Sequence, residues 1–234
     1  MFTGIVAAVG QIESVRAASA APDAGVRLVI DATALGLDDV AIGDSIAVQG
    51  ACMTVVERAG LTASALPAGR FAVEVSQESL SKTVGLGQTG AVNLEKALRL
   101  ADRIGGHLVS GHVDGLGQVA EMAAVGESWR LAIEVPGELA RYFAYKGSVT
   151  VNGVSLTINR VADGFLSPFS GLRVSRIEIN LIAHTMAVTT LGSLCVGDAV
   201  NLEVDQIARY CERLLAERLI SPQETLRHER SAGS

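Results

Sequence analysis

Three side chains suited to moving protons or holding a polar ligand, Cys52, His112 and Ser155, fall inside stretches that the chain states twice. Residues 4–12 can be laid over residues 111–119 at an offset of 107 with four of nine positions identical, and there Ile5 stands opposite His112. Imidazole titrates near neutral pH, so a repeat that exchanges an aliphatic side chain for histidine is expected to keep its fold and change its chemistry. Residues 43–55 match residues 146–158 at an offset of 103, with Ser45, Val48, Gly50 and Thr54 returning as Ser148, Val151, Gly153 and Thr157. Cys52 and Thr54 in one copy, and Ser155 and Thr157 in the other, lie two residues apart, which on a strand puts each pair on one face. The glycine beside each pair lets another group come close to the backbone. This describes a polar spot in an apolar wall, built twice. Plainer readings compete: a local hydrogen bond for His112, a small buried hydrophobe for Cys52, strand propensity for the threonines, and a solvated surface for Lys146, which stands where the first copy has Gly43. The alignment of Cys52 with Ser155 favours a binding role, because it asks for a small polar atom at both places.

These residues need strands to carry them, and the repeat supplies strands in pairs. Residues 2–9, 26–30, 71–76 and 173–181 are rich in β-branched and apolar side chains and predict strands, and each copy closes on a Val-Asn-Leu-Glu stretch, at 92–95 and 200–203. Residues 32–40 and 136–144 predict helices, the second with Pro136 in its first turn. Gln77, Glu78 and Ser79, and Ala183, His184 and Thr185, predict short helices after a strand in each copy. Five or six short strands per copy favour a small closed barrel, since closure removes exposed edges. Beyond the second copy, Asp205 caps an expected helix to about residue 220 with Ile207, Tyr210, Cys211 and Leu214 on one stripe, and that stripe must be buried somewhere. The tail from Ser221 is expected to be mobile.

The composition excludes several functions. Of 234 residues, 49% are hydrophobic and 19% charged, with 25 glycines and a net charge of −6, which fits a turn-rich, mostly β chain and offers no basic patch for nucleic acid or anionic lipid. The first residues lack a basic leader, and no run is long and apolar enough to span a bilayer, so a cytoplasmic protein is expected. Cys52, Cys195 and Cys211 are far apart and read as free thiols, and His107, His112, His184 and His228 form no metal-binding pattern.

The opening Met-Phe-Thr-Gly-Ile-Val, the junction Gly-Gly-His-Leu-Val-Ser-Gly-His-Val-Asp-Gly at 105–115, the block at 147–157 and the closing Val-Asn-Leu-Glu-Val-Asp together resemble the riboflavin synthase family of the alpha-chain type over residues 1 to about 215. The resemblance implies an all-β fold of two tandem, pseudo-symmetric, six-stranded Greek-key barrels with short helices, at 1–107 and 108–204. A C-terminal α-helix and tail at 205–234 would gather a homotrimer. It implies a dismutation in which one 6,7-dimethyl-8-ribityllumazine gives four carbons to another, yielding riboflavin and 5-amino-6-ribitylaminouracil, with an acidic ring 7-methyl group and with neither cofactor nor metal.

Carried over by position, ligand contacts would fall on Gly4, Ile5 and Val6, on Ala51, Cys52, Met53 and Thr54, and on Val75, Ser76, Gln77, Glu78, Ser79 and Leu80. In the second half they would fall on Ser110, Gly111, His112 and Lys146, on Ser155, Leu156 and Thr157, and on Leu181, Ile182, Ala183, His184, Thr185 and Met186. Phe2, Ser45, Cys52, His112, Ser155, Thr157 and Asp205 match positions tied to activity. The register makes His112 weigh more than His107. Gln49, Ala51 and Met53 depart from the usual Asn-Gly-Val-Cys-Leu-Thr stretch, and Thr83 to Gly87 run to Val92 by a shorter connection than usual, which together are expected to reshape the first pocket slightly. The rival reading is a non-catalytic lumazine- or flavin-binding protein of the same fold.

Overall fold

The structure, a computed structural model, describes residues 1–19, 24–61 and 64–220. The expected mobile tail from Ser221 lies outside them. The first half forms β1 (Ala8–Ala17), β2 (Val26–Asp31), β3 (Ser45–Val48), β4 (Ala51–Arg58), β5 (Arg70–Val75), α1 (Gln77–Lys82) and β6 (Gly90–Lys96). The second forms β7 (Gly115–Val125), β8 (Ser128–Val135), β9 (Ser148–Val151), β10 (Val154–Leu166), β11 (Arg173–Ile182), α2 (Ala183–Val188) and β12 (Ala199–Val204), followed by α3 (Gln206–Ile220). Each set closes into an antiparallel barrel, ordered β1-β2-β5-β4-β3-β6 and β10-β11-β8-β7-β12-β9. Superposing the repeats maps one cyclic order on the other, so the duplication seen in the sequence is a duplication of Greek-key topology. Among the described residues, no helix is long and apolar enough to cross a membrane.

Period-two alternation sets the register. In β1, Ala8, Gly10 and Ile12 point inward, and in β11 so do Ser175, Ile177, Ile179 and Leu181. Each barrel closes on its own core, with Phe71, Leu28 and Leu94 in the first and Ile133, Ile158 and Leu202 in the second. A one-residue slip would turn every one of these side chains to water.

Three expected elements are replaced by other structure. Residues 32–40 form turns instead of a helix: Leu35 N–H donates to the Ala32 carbonyl at 2.9 Å and Val40 N–H to the Leu37 carbonyl at 3.0 Å, and Gly36 takes φ +67°. Asp31 Oδ1 accepts from Thr33 N–H and Oγ1–H, holding the chain in a turn as β2 ends. Of residues 136–144 only Ala140–Tyr142 coil, as one 3-10 turn, because the apolar positions that plug the barrel are Leu139 and Phe143 and Phe143 is already extended. Residues 2–9 do not run as one strand. Gly4 at φ +73° bends the chain, Phe2 makes a lone bridge with Val109, and β1 starts only at Ala8.

That bridge belongs to a reciprocal exchange. Phe2 N–H donates to the Val109 carbonyl at 2.8 Å and Val109 N–H to the Phe2 carbonyl at 3.0 Å. Val6, early in the first repeat, packs on the core of the second barrel, whereas Val113 of the second packs on the core of the first. The β3-β4 and β9-β10 turns meet on the same pseudo-twofold axis. There Asn93 Nδ2 donates to the Asn152 carbonyl and Asn201 Nδ2 to the Gln49 carbonyl, both at 2.9 Å. Gln49 Oε1 accepts from Asn93 N–H at 2.9 Å as Asn152 Oδ1 accepts from Asn201 N–H at 2.8 Å, so glutamine fills the asparagine role and this part of the frame is kept.

Gly50 and Gly153 lie back to back at φ +89° and +82°. A Cβ on Gly153 would stand 2.9 Å from the Gly50 nitrogen, whereas one on Gly171, also left-handed at φ +68°, would meet nothing. Gly171→Ala is expected to cost about 1 kcal/mol, the backbone penalty alone. Gly153→Ala adds a clash between two backbones and is expected to cost about 3 kcal/mol, in the range of overpacked cores. Urea unfolding of both variants measures the difference, and equal midpoints would contradict the close approach.

Candidate functional site

The first cavity opens between β4, α1 and the crossing segment at 111–113. It has a volume of about 170 Å³ and is lined by Ala51, Cys52, Met53, Glu78, Ser79, Lys82, Thr83, Gly111, His112 and Val113. Seven of these, Ala51, Cys52, Met53, Glu78, Ser79, Gly111 and His112, were expected from the sequence. Cys52 N–H donates to the Gly111 carbonyl at 2.7 Å, and a Cβ on Gly111 would collide with Cys52 Cβ at 2.7 Å and with the Phe2 ring at 3.0 Å. The glycine lets the segment bearing His112 lie flat on β4. Helix α1 begins where Ser76 Oγ accepts from Ser79 N–H at 3.1 Å, and its open face carries Glu78 and Lys82, paired at 2.9 Å. Leu80 turns the other way, onto the first core.

The repeat counterpart of this wall lies where residues 4–6 cross β10. Ser155 N–H donates to the Gly4 carbonyl at 2.7 Å, and a Cβ on Gly4 would meet Ser155 Cβ at 2.6 Å. Ile5 is exposed, Val6 and Leu156 pack on the second core together with Met186 of α2, and Leu181 is fully buried. Ile182 is the N-cap of α2, and Ala183, His184 and Thr185 form its first turn. By repeat position Ile5 lies where His112 lies in the first site.

Two buried glutamates fasten the crossing segments. Glu95 accepts from Thr3 N–H at 2.7 Å, Thr3 Oγ1–H at 2.8 Å and Gly4 N–H at 3.0 Å. Glu203 accepts from Ser110 N–H at 2.7 Å, Ser110 Oγ–H at 2.8 Å, Gly111 N–H at 2.9 Å and His112 N–H at 3.1 Å. Burial pushes both carboxyls above the ordinary range, while these donors pull the other way. Sequence reasoning noted the twice-used Val-Asn-Leu-Glu ending without assigning its glutamates this work, and the repetition of a charged residue at a strand end was the available signal.

The helices are held from the opposite barrel. Asn201 Oδ1 accepts from Val84 N–H at 2.8 Å, just past α1, and Asn93 Oδ1 accepts from Thr190 N–H at 2.8 Å, just past α2. Thus an asparagine of each barrel fixes the wall of the other barrel's site.

The remaining expected residues fall elsewhere. Ser45 pairs with Thr54 across β3 and β4 but lines a separate cavity of about 200 Å³ with Asp39, Asp44 and Lys96. Thr54 and Thr157 are exposed on the outward faces of their strands. Val75 is buried and Gln77 exposed at the start of α1. Lys146, at φ +64°, donates to Asn159 Oδ1 at 3.1 Å, and Asp205 Oδ1 caps α3 through Ile207 N–H at 2.9 Å. Phe2 is fully buried between the barrels, where it backs Gly111 and does not face the cavity. Lys82 and Val113 are cavity residues that sequence reasoning missed, Lys82 because α1 had no readable face in so short a segment, whereas Thr83 opens the stretch to Gly87 whose departure was expected to bear on this pocket. His107 was also passed over: its Nδ1 lies 2.7 Å from Ser155 Oγ and its Nε2 3.4 Å from Thr150 Oγ1.

A family model described as Lumazine binding domain matches residues 3–97 and again 110–205. The riboflavin synthase of Photobacterium phosphoreum is 41% identical over 219 residues, covering 92% of this chain and 89% of its own. That of Mycobacterium tuberculosis strain H37Rv is 42% identical over 228 residues, covering 92% and 98%. Among solved structures, LumP complexed with riboflavin aligns with a TM-score of 0.70 at 23% identity over 87% of this chain and 99% of its own, and LumP complexed with 6,7-dimethyl-8-(1'-D-ribityl) lumazine with a TM-score of 0.69. At that identity the likeness is one of fold.

Burial lowers the His107 pKa from its ordinary 6.5, and the Asp205 carboxylate offsets part of that effect. A base with a lowered folded-state pKa leaves the unfolded chain binding more protons, so its contribution to stability is complete above 6.5 and is lost as pH falls from there toward the folded value. The raised Glu95 and Glu203 act in the opposite sense, gaining stability on acidification toward 4.5. The parent chain minus His107→Gln therefore isolates the histidine. Urea midpoints between pH 7.5 and 5.5 are expected to fall more steeply for the parent than for the variant, and parallel slopes would contradict a buried, neutral His107.

Proposed function

The chain belongs to the riboflavin synthase family, and from that premise we propose that each barrel holds one 6,7-dimethyl-8-ribityllumazine and that the two ligands dismutate to riboflavin and 5-amino-6-ribitylaminouracil. The observation that carries this reading is the twice-built site: one backbone frame, one glutamate anchor and one cross-barrel asparagine in each half, with different side chains at Ile5 and His112 and at Cys52 and Ser155. Chemistry that makes one molecule the donor and an identical one the acceptor calls for two sites alike in shape and unlike in reactive groups. The first cavity, at about 170 Å³, is smaller than the several hundred usual for a fully enclosed ligand. A ring system seated there keeps one face open for another. The reaction is redox-neutral, so the residues have two tasks, to hold the rings in reacting geometry and to move protons to and from the acidic 7-methyl group. His112 in the first site, and Ser155 in the second, are the groups we assign to proton handling, with Cys52 as a binding residue.

A non-catalytic lumazine holder needs polar groups in one site only, and here both carry them. We place the chain in the cytoplasm, in keeping with its net charge of −6 and its small water-soluble substrate. Incubating the purified chain with the lumazine is expected to give riboflavin, read by its absorbance and fluorescence, and His112→Gln to slow turnover by about 100-fold with the fold intact. A parent rate no better than that of lumazine alone would overturn the enzyme reading in favour of the holder.

We further propose that the active form is a homotrimer gathered by α3. Ile207, Tyr210, Leu214 and Leu215 of this helix are all more than half exposed, while Tyr142 and Arg141 hold its other side through Glu212. Four large apolar side chains left in water on one helix fit a helix-to-helix contact between copies. In the trimer we propose, the first site of one copy faces the second site of its neighbour. A chain ending at Val204 is expected to sediment as a monomer with riboflavin formation reduced at least about 100-fold, since the two ligands no longer meet. An unchanged assembly by light scattering would remove α3 from this role.

A further inference from the structure

The C-terminal helix is tied to one crossing segment and not to the other. Asp114 Oδ2 accepts from Arg209 Nη2 at 2.5 Å and from Val204 N–H at 2.8 Å, and only 11% of the Asp114 side chain is exposed. Four residues back, Ser110 Oγ accepts from Gln206 Nε2 at 2.7 Å and donates to Glu203 Oε1 at 2.8 Å. Gln206 and Arg209 are three apart at the start of α3, so one edge of the helix meets both ends of the segment 110–114. His112 is at the middle of that segment. Among the described residues its ring has no hydrogen-bond partner, and only its backbone N–H is held, by Glu203 at 3.1 Å. Where the imidazole stands in the first cavity therefore follows from where the backbone is fixed. The first repeat lacks this device. Ala7 N–H donates to the Leu94 carbonyl at 2.9 Å as Asp114 N–H donates to that of Leu202 at 2.7 Å, yet Ala7 has no carboxylate, and residues 97–99 after β6 form no helix.

We propose that Arg209 and Gln206 are positioning residues of the first site, acting through Asp114 and Ser110 so that the seating of α3 sets the place of His112 against the ligand between β4 and α1. This rests on the reading of the chain as a lumazine dismutase. The tie through Arg209 is the stronger of the two, being charge-assisted, whereas that through Gln206 is a neutral bond. Val204 N–H shares Asp114 Oδ2 with the guanidinium, so the end of β12, the crossing segment and the helix move as one unit. A slide of α3 by one residue along its axis, about 1.5 Å, parts the guanidinium from the carboxylate. A misplacement of about 1 Å at a reacting group is enough to slow a reaction by up to about 100-fold. The first site is thus complete only when the helix is seated. The second site, whose crossing segment bears Ile5 and has no such tie, does not depend on it, and the coupling is one-sided.

The test uses the full chain and reads the segment directly. Arg209→Met keeps Ile207, Tyr210 and Leu214, so light scattering is expected to show the assembly of the parent. Amide hydrogen exchange by mass spectrometry is expected to quicken at least about 10-fold over residues 110–114 in this variant and to stay within about twofold over residues 3–7, which Glu95 holds. In riboflavin formation kcat is expected to fall about 10-fold with KM within about threefold. Arg209→Lys, whose ammonium can replace a contact made through one nitrogen, is expected to bring exchange and kcat back to within about threefold of the parent. In a His112→Gln background Arg209→Met is expected to lower kcat by less than about twofold, because both changes act on one group. Unchanged exchange over 110–114, an equal rise in both segments, or effects that multiply would each overturn the proposal. Should Arg209→Met come apart, Asp114→Asn decides by the same exchange pattern, since it leaves α3 intact and keeps an oxygen for Val204 N–H while removing the charge that Arg209 meets. A parent chain that forms no riboflavin defeats the dismutase reading, and the exchange pattern, which needs no substrate, still decides the coupling.

Discussion

Backbone N–H groups that are buried must find acceptors, and in this chain that requirement joins the barrels. The crossing segments at 1–7 and 108–114 belong to no regular ladder, so five of their amides look to side chains: Thr3 and Gly4 to Glu95, and Ser110, Gly111 and His112 to Glu203. A buried amide without a partner costs about 1–3 kcal/mol, so each glutamate that serves several of them outweighs the desolvation of its own carboxylate only while the whole set is intact. The consequence is geometric. Each segment is fastened to the end of one barrel strand and laid across the mouth of the other barrel, where its carbonyl accepts from Cys52 or Ser155.

The same economy of partners operates at the centre. Asn93 and Asn201 each spend their amide nitrogen on the opposite barrel's turn and their oxygen on the segment that follows a site helix. Removing either side chain would orphan groups in the opposite half. Helices α1 and α2 are therefore held by residues that belong to the other repeat, and the two barrels support one another. That arrangement explains why a small cavity can be held open by a six-residue helix with no buried residue of its own, as α1 is.

Pseudo-symmetry makes the sites alike in frame, and a few substitutions make them unlike in chemistry. His112 against Ile5 and Ser155 against Cys52 are exchanges at matched positions. His107 lies outside any matched block, and only the crossing of the junction over β10 brings it to Ser155. Two identical ligands can take different parts in one reaction when the groups that face them differ in this way, without any difference in fold between the halves.

Much of this was readable in the sequence, because the repeat is strong and strand patterning is local. The two offsets placed the strand, glycine, strand unit in both halves, and the two-residue spacing of Cys52 with Thr54, and of Ser155 with Thr157, set each pair on one strand face. Where side chains served contacts remote in sequence, the reading failed. The apolar spacing of residues 32–40 and 136–144 looks helical, yet Leu37 and Leu139 are plugs set by barrel ends, and Gly36 and the extended Phe143 satisfy that demand with turns. Residues 2–9 have strand composition, but Phe2 and Val6 answer to the far barrel and Gly4 bends the chain to reach it. Ser45 and Cys52 share one face of the β3-β4 pair yet open into different cavities, because α1 and residues 111–113 wall the one while residues 96–99 wall the other. Sequence determined the elements and their duplication, since these follow from the period of hydrophobicity and from glycine. Tertiary structure decided which half supports which pocket and which histidine meets which hydroxyl, since those contacts join residues at least 43 positions apart, and 117 apart for Asn201 and Val84, a separation over which no local pattern carries information.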